Sequence, residues 1–302
     1  MKRTKKLNGI KIFDIVVTTL VLLVTFLLAY PLYYCLIASI SDPIAVSAGE
    51  TMFWIKGFTL DSYRLILDED QLWVGYRNTI FYTFFGTLYN LVLTIPAAYV
   101  VSKKHLPWRG VISWYYFITM YIGGGLIPSY LLIRDLKMLN TPWVFIIGAG
   151  VSCYNLIVTR QYFSTSIHPD IYEAAYIDGA GEGYTFCKIA LPLAKPIIAV
   201  MALYYGVAHW NDWYTGLVYA NNKELQPLQL VLRNILMAGD ISVSPQFGSG
   251  NLAGMEYAIY RARMVLSMKY SIVIVASIPL LIAYPFLQKY FVKGVMIGSV
   301  KG

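Results

Sequence analysis

Charge is scarce in this sequence: Asp, Glu, Lys and Arg make up only 13% of its 302 residues, against 58% hydrophobic residues and a mean hydropathy of +0.57. A soluble domain carries about a quarter of its residues charged, so the composition excludes one and calls for an integral membrane protein. Cysteine is equally sparse. Cys35, Cys153 and Cys187 are scattered without CxxC spacing, which excludes a disulfide framework and a zinc site and leaves them as small buried hydrophobes. His105, His168 and His209 fall in different regions, and HExxH and GxSxG are both missing, so an intramembrane enzyme has no machinery and no catalytic or metal-ligating residue is expected. No GxxxxGKS/T stretch occurs, which leaves any nucleotide to another polypeptide.

The net charge of +8 can signal nucleic acid. Here the basic residues sit at the edges of apolar runs rather than in a patch with interleaved aromatics, so nucleic acid is excluded and topology accounts for them. What the sequence has in abundance is uncharged length. A helix crossing about 30 Å of hydrocarbon needs about 20 residues, because a central charge costs several kcal/mol and every backbone polar group must be paired within the segment. Charge-free windows cover 15–41, 78–102, 110–133, 138–159 and 270–288, and a sixth, 196–220, is interrupted only by Asp212. The expected fold class is all-α: six transmembrane helices forming a single domain over 1–302, with no internal repeat and no linker. The first window holds 27 uncharged residues, too many for a secretory signal, and no small-x-small cleavage site closes it.

Orientation follows from lysine and arginine. With the N-terminus inside, cytoplasmic segments hold 14 of the 24 basic residues but five of the 16 acids, and the short loop carrying Lys103, Lys104 and Arg109 is the strongest signal. Both termini are then cytoplasmic in a multi-pass plasma-membrane chain. Residues 160–195 form a cytoplasmic loop and 221–269 an extracytoplasmic one.

That cytoplasmic loop contains EAAYIDGAGEGYTFCKIALP, Glu173 to Pro192. Pro169 fits the first turn of a helix, Asp170 can cap its free N–H groups and Glu173 can close a capping box. Ala174 and Ala175 favour helix with almost no bulk. Gly179 suits the left-handed residue that ends a helix, Gly181 and Gly183 keep the chain turning, and a second short helix returns to Pro192. The result is a projecting knob. From the residues alone it is either an ordinary loop or a surface gripped by another protein. The GxGxG spacing follows no strand and is not a dinucleotide fingerprint.

Glu173-Ala174-Ala175, three residues, Gly179, nine residues, Ile189, one residue and Leu191-Pro192 resemble the EAA loop of ABC-importer permeases, with all seven specified positions met. Six spans with this loop before the fifth are similar to the carbohydrate-uptake permeases related to the maltose-transporter inner-membrane subunits. FTLDSYRLIL, HWNDWYTGLVYA and the tail KYFVKGVMIGSVKG resemble the Gram-positive complex-sugar branch of that family. The resemblance implies a type I ABC importer permease fold and binding-protein-dependent import of an oligosaccharide or related sugar. It also implies that the knob is a coupling helix seated in an ATP-binding subunit. Glu173, Ala174, Ala175, Asp178, Gly179, Ile189, Leu191 and Pro192 would then carry the coupling. The implied partners are a second, different permease subunit, two ATP-binding subunits that bind the ATP and Mg, and an extracytoplasmic substrate-binding lipoprotein. This chain itself would bind no cofactor.

Alternating access needs a cavity near the midplane. Asp212 is the one acid well inside an expected span, and it is either functional or bonded at the outer end of its helix. Around it His209, Trp210, Asn211 and Trp213 offer ring faces for a pyranose and polar groups for its hydroxyls. Tyr154 and Asn155 lie midway along the fourth span, and GGGLIP (123–128) should loosen or break the third. The rival class is a secondary transporter, which would show paired halves with broken helices and intramembrane coupling charges.

Overall fold

The computed structural model describes residues 2–148, 150–242, 263–265, 267–282 and 285. These residues are helical apart from turns, loops and one isolated bridge between Ser41 and Phe58. They fall into two compact units, Met1–Glu69 with Asn234–Ser277 and Asp70–Arg233 with Ile278–Gly302.

The first unit is built on the helix Lys2–Ser39. Its apolar stretch Phe13–Ser39 is long enough to cross a membrane, and most of its large side chains, Leu20, Leu22 and Phe26 among them, lie exposed. Such an all-round apolar surface is what lipid solvates. Two short helices follow, Pro43–Ser47, capped by the Asp42 carboxylate on the Ile44 N–H, and Asp61–Leu67. A small polar seam knits the unit. Ser62 meets Ser267 at 3.0 Å, the Tyr63 hydroxyl donates to Ser39 Oγ at 2.8 Å, and Ser271 donates to the Ser39 carbonyl at 3.3 Å. Small hydroxyl residues let helices approach closely and bond across the contact. They bring in the helix Arg263–Ile282. The window expected at 270–288 overlaps that helix, and 283–284 and 286–288 lie outside the described residues.

The second unit is organised around Asp70–Ser102, a 33-residue helix continuous through Pro96. It starts eight residues before the window expected at 78–102, because its first turns carry Asp70 and Arg77 and a hydropathy window cannot report a helix that continues beyond the apolar run. Asp70 in the first turn also suits the positive end of the helix dipole. Against this helix pack Lys195–Trp210 and Cys153–Thr165. Their shared core holds Ile95, Ala98, Tyr99, Leu156, Phe163 and Met201. Glycines permit the close approaches: a Cβ on Gly75 would stand 3.0 Å from the Leu228 Cα.

Three expected spans are interrupted. In 110–133 the helices Arg109–Tyr121 and Leu126–Asp135 meet at 112°, with Gly125 at φ +84°; this is the break that GGGLIP anticipates. The window 138–159 is not one helix. It contains the five-residue helix Trp143–Ile147, then non-helical backbone at Gly150–Ser152 with Ser152 extended, then Cys153–Thr165, which runs on past the window. The window 196–220 divides into Lys195–Trp210 and Tyr214–Tyr219, with Asn211, Asp212 and Trp213 outside both. A window that counts only charge passes over both breaks; in the first, side chains from other helices pair the opened backbone, whereas in the second the Asn211, Asp212 and Trp213 N–H groups bond carbonyls two to four residues back. By length and composition, three described helices can cross a membrane, or up to five if each bent pair is one span. Within the expected outer loop 221–269, the apolar-periodic PLQLVLRNIL forms most of the helix Leu228–Ser242. The Gly/Ser-rich stretch 247–250, where the sequence suggests a turn, and the C-terminal tail lie outside the described residues.

Candidate functional site

The knob is a helix, Pro169–Ile177, followed by a return helix, Glu182–Leu193. Pro169 occupies the first turn as anticipated, but neither Asp170 nor Glu173 caps it: His168 is the N-cap residue and no side chain bonds the first N–H groups. Asp170 instead sits 3.2 Å from the His168 ring nitrogen Nδ1. Pro169 removes one donor, and the other free N–H groups are at an exposed end where water can serve them. The C-terminal end is built as its glycine suggests. The Gly179 N–H donates to the Tyr176 carbonyl at 3.0 Å and the Ala180 N–H to the Ala175 carbonyl at 2.9 Å, the paired bonds of a Schellman turn. Gly179 takes φ +77°, and a Cβ there would meet nothing within 4 Å. The need for glycine is thus conformational, worth about 1–2 kcal/mol against a side-chain-bearing residue. Gly181, at φ −72°, is an ordinary extended residue and Gly183 lies in the return helix, so neither makes a turn that requires glycine.

The return helix opens into a π-turn over Thr185–Ala190, with the Leu191 N–H bonding five residues back to the Phe186 carbonyl. Pro192 cannot donate and its ring would crowd the carbonyl four residues earlier, so the preceding turn widens. The chain then bends by 77° into Lys195–Trp210. Ile189 and Leu191 are half-buried and Pro192 is exposed.

The knob helix has two faces. Glu173, Ala174, Ile177 and Asp178 are exposed, whereas Ala175 is buried and Tyr172 half-buried. Ala175 therefore packs within the chain, and of the two alanines only Ala174 presents a small surface outward. The inner face closes on the end of Asp70–Ser102. The Lys103 ammonium lies 4.4 Å from the Tyr99 ring centroid, 3.8 Å from Tyr172 and 5.5 Å from Tyr176. It donates to the Tyr176 hydroxyl at 3.0 Å. The Glu182 carboxylate accepts from the Tyr176 hydroxyl at 2.7 Å and from the Tyr99 hydroxyl at 3.2 Å, and stands 3.9 Å from Lys103. Only 21% of the Lys103 side chain is exposed, against 65% of Glu182. A solvated carboxylate at that distance is worth about 0–1 kcal/mol, whereas a desolvated cation over aromatic faces gains about 2 kcal/mol or more; the rings dominate. Burial pulls the Lys103 ammonium below its ordinary range while Glu182 pushes it back up, and burial is the larger effect. Burial first, then the neighbouring tyrosine and Glu182, push Tyr172 up to about 12. Burial, followed by the bond to Glu182, pushes Tyr176 up to about 12 as well. Beside the cage lies a largely apolar cavity of about 700 Å³, bordered by Pro96, Lys104, Arg109, Phe163, Glu173 and Phe186.

A larger cavity of about 1220 Å³ lies against the interrupted spans. It collects four of the seven pathway candidates, Asn155, His209, Asn211 and Asp212. Tyr154, Trp210 and Trp213 do not line it. Tyr154 stacks on the lining residue Tyr204 at 6.4 Å. Trp210 is buried beside Tyr76, and Trp213 carries the Arg233 guanidinium over its ring at 4.9 Å. Asp212 Oδ1 accepts from the Thr215 N–H at 3.0 Å, so the acid caps the short helix Tyr214–Tyr219 while bordering the cavity. Asn211 donates to the Val207 carbonyl at 3.0 Å.

Residue types passed over in the sequence complete this wall. Asn90 donates to the Gly150 carbonyl at 2.6 Å and pairs with His209 Nε2 at 2.7 Å. The Tyr205 hydroxyl meets Thr94 at 2.7 Å and accepts from the Ser152 N–H at 3.2 Å. These bonds pair the Gly150 carbonyl and the Ser152 N–H, as non-helical backbone within an apolar window requires. Gly86 gives the histidine ring its place, since a Cβ there would fall 2.4 Å from His209 Cε1. A search for intramembrane charge misses Asn90; a search for any amide inside an apolar window finds it. Tyr204 and Ser129 add further polar and aromatic lining, beside Tyr214, which the HWNDWY stretch already offers as a ring for the sugar. The wall combines ring faces with neutral hydrogen-bonding groups and one carboxylate.

Comparison with known proteins bears on both sites. A family model described as binding-protein-dependent transport system inner membrane component matches residues 72–297. Protein LplC of Bacillus subtilis is 34% identical over 272 residues, covering 90% of this chain and 89% of its own. The polygalacturonan/rhamnogalacturonan transport system permease protein YtcP of the same organism is 31% identical over 297 residues, covering 97% and 99%. The crystal structure of a bacterial ABC transporter involved in the import of the acidic polysaccharide alginate matches with a TM-score of 0.79 at 31% identity, covering 93% of this chain and 97% of that one.

Proposed function

The chain belongs to the family of binding-protein-dependent transport system inner membrane components, and from that premise we propose that its knob helix Pro169–Ile177 couples sugar import to ATP hydrolysis by another subunit. It is a multi-pass membrane permease of an ABC importer, neither an enzyme nor a secondary transporter. Its substrate is an oligosaccharide or related glycan. The carbohydrate named for YtcP supports this reading, as does a cavity wall of tyrosine rings and neutral polar groups. Rings can stack on pyranose faces, and amides and hydroxyls can exchange hydrogen bonds with sugar hydroxyls.

In this reading the chain has six spans with both termini in the cytoplasm and pairs with a second, different permease. A substrate-binding lipoprotein delivers sugar to the outer side. Two ATP-binding subunits hold ATP and Mg, and each grips one knob. Glu173, Ala174, Asp178 and the exposed Ile177 form the gripped face; Gly179 fixes the turn behind it; Ala175, Ile189, Leu191 and Pro192 seat the knob on its own chain. The observation that carries this assignment is the two-faced knob helix, anchored on one side and bare on the other. In proteoliposomes containing the complete importer, Glu173→Lys or Gly179→Asp should abolish uptake and leave ATP hydrolysis uncoupled, with the permease still inserted. Wild-type uptake by either variant would overturn the coupling assignment.

A further inference from the structure

A knob moves cargo only if its displacement reaches the cavity, and the chain has a definite place where that transfer occurs. Tyr99 and Lys103 stand at the end of the Asp70–Ser102 helix; Tyr172 and Tyr176 stand one turn apart on the inner face of the knob helix; Glu182 starts the return helix. Lys103 lies within 5.5 Å of all three ring centroids, and Glu182 holds two of the three hydroxyls. Nine residues back from Tyr99 along the same helix, about 14 Å at 1.5 Å per residue, Asn90 holds His209 and the Gly150 carbonyl at the wall of the cavity. One helix thus has the knob clamped to its end and the cavity's polar joint on its shaft.

Resting on the coupling role proposed above, we infer that the Lys103–tyrosine cage is the joint through which the knob drives the Asp70–Ser102 helix, making Lys103, Tyr172 and Glu182 positioning residues for transport. The cage suits that task. Ring faces attract the cation over a range of orientations, so the clamp can rotate without coming apart. The Tyr172 hydroxyl is buried without a hydrogen-bond partner among the described residues, so its ring face, rather than its oxygen, makes the contact.

The test uses the whole importer in proteoliposomes and reads sugar transported per ATP hydrolysed, together with co-purification of the ATP-binding subunits. Lys103→Met and Tyr172→Leu keep apolar bulk but remove the cation or its ring face. Each should lower the transport-to-hydrolysis ratio about tenfold, with subunit co-purification unchanged and the thermal midpoint lowered by only about a few degrees. Lys103→Arg and Tyr172→Phe, which keep a cation and a ring, should restore the ratio. An unchanged ratio in Lys103→Met and Tyr172→Leu would overturn the joint, as would equal damage from Tyr172→Phe and Tyr172→Leu or a parallel loss of assembly. If Glu173→Lys uncouples while Lys103→Met does not, the joint alone fails; if neither does, the coupling role of the knob falls as well.

Discussion

Single atoms decide much at both sites. At Gly86 the absent Cβ is the space that the His209 ring occupies. Gly86→Ala should push the ring off Asn90, break the 2.7 Å contact and cost about 1–3 kcal/mol through overpacking and an orphaned amide. A lowered thermal midpoint and weakened uptake would show it; an unperturbed midpoint would refute the packing. The knob tyrosines give a pH signature. Their folded pKa values of about 12 lie above the ordinary 10.0. A raised value means that the fold holds the phenol proton more tightly than the unfolded chain does, so this stabilisation is complete below pH 10 and disappears as pH rises through 12. The Tyr172→Phe, Tyr176→Phe double variant should flatten the alkaline decline in knob stability across that window, followed by hydrogen exchange of residues 169–177. An identical decline in both proteins would contradict it.

At the level of helices, the long apolar runs were legible and their interruptions only partly so. GGGLIP announces its break because glycine and proline act locally. Gly148, Gly150 and the helix-capping Ser152 mark the second break locally, but a window that counts only charge passes over them, and it cannot see that Asn90 and Tyr205 satisfy the backbone there from other helices. Asn90→Leu should therefore leave the Gly150 carbonyl unpaired and destabilise the fold by about 1–3 kcal/mol, read from thermal unfolding in detergent against the parent protein. No loss of stability would mean that the opened backbone is satisfied by other groups. In the knob, Gly179 was legible because its left-handed turn depends on one residue. The inward turn of Ala175 was not, since helical phase against a neighbour is set by Tyr172 and Tyr176 meeting Lys103. The capping roles expected of Asp170 and Glu173 were misread for a related reason: an exposed helix start has water as a competing partner.

Across the whole chain, the charge pattern and the seven-position motif point to one arrangement, with the 103–109 loop and the knob on the same side of the membrane. Single cysteines at Lys104 and Ala174, introduced into a variant lacking the three native cysteines and expressed without the ATP-binding subunits, should resist a membrane-impermeant thiol reagent in intact cells and react in inverted vesicles. Labelling of either from outside would reverse the orientation. The distribution of the evolutionary task is also visible at this scale. The wall of the larger cavity is assembled from interrupted helices, and the backbone at Gly150 and Ser152 is held by Asn90 and Tyr205, which also border the cavity.

That double duty constrains any attempt to retarget the permease. On the proposal that this cavity carries the cargo, varying Asn90, Ser152 or Tyr205 for a new cargo also loosens the scaffold that they stitch. Diversity placed at Leu132, Tyr204 and Tyr214, which border the same space, leaves that stitching intact, and on the same proposal it is where selectivity would be altered.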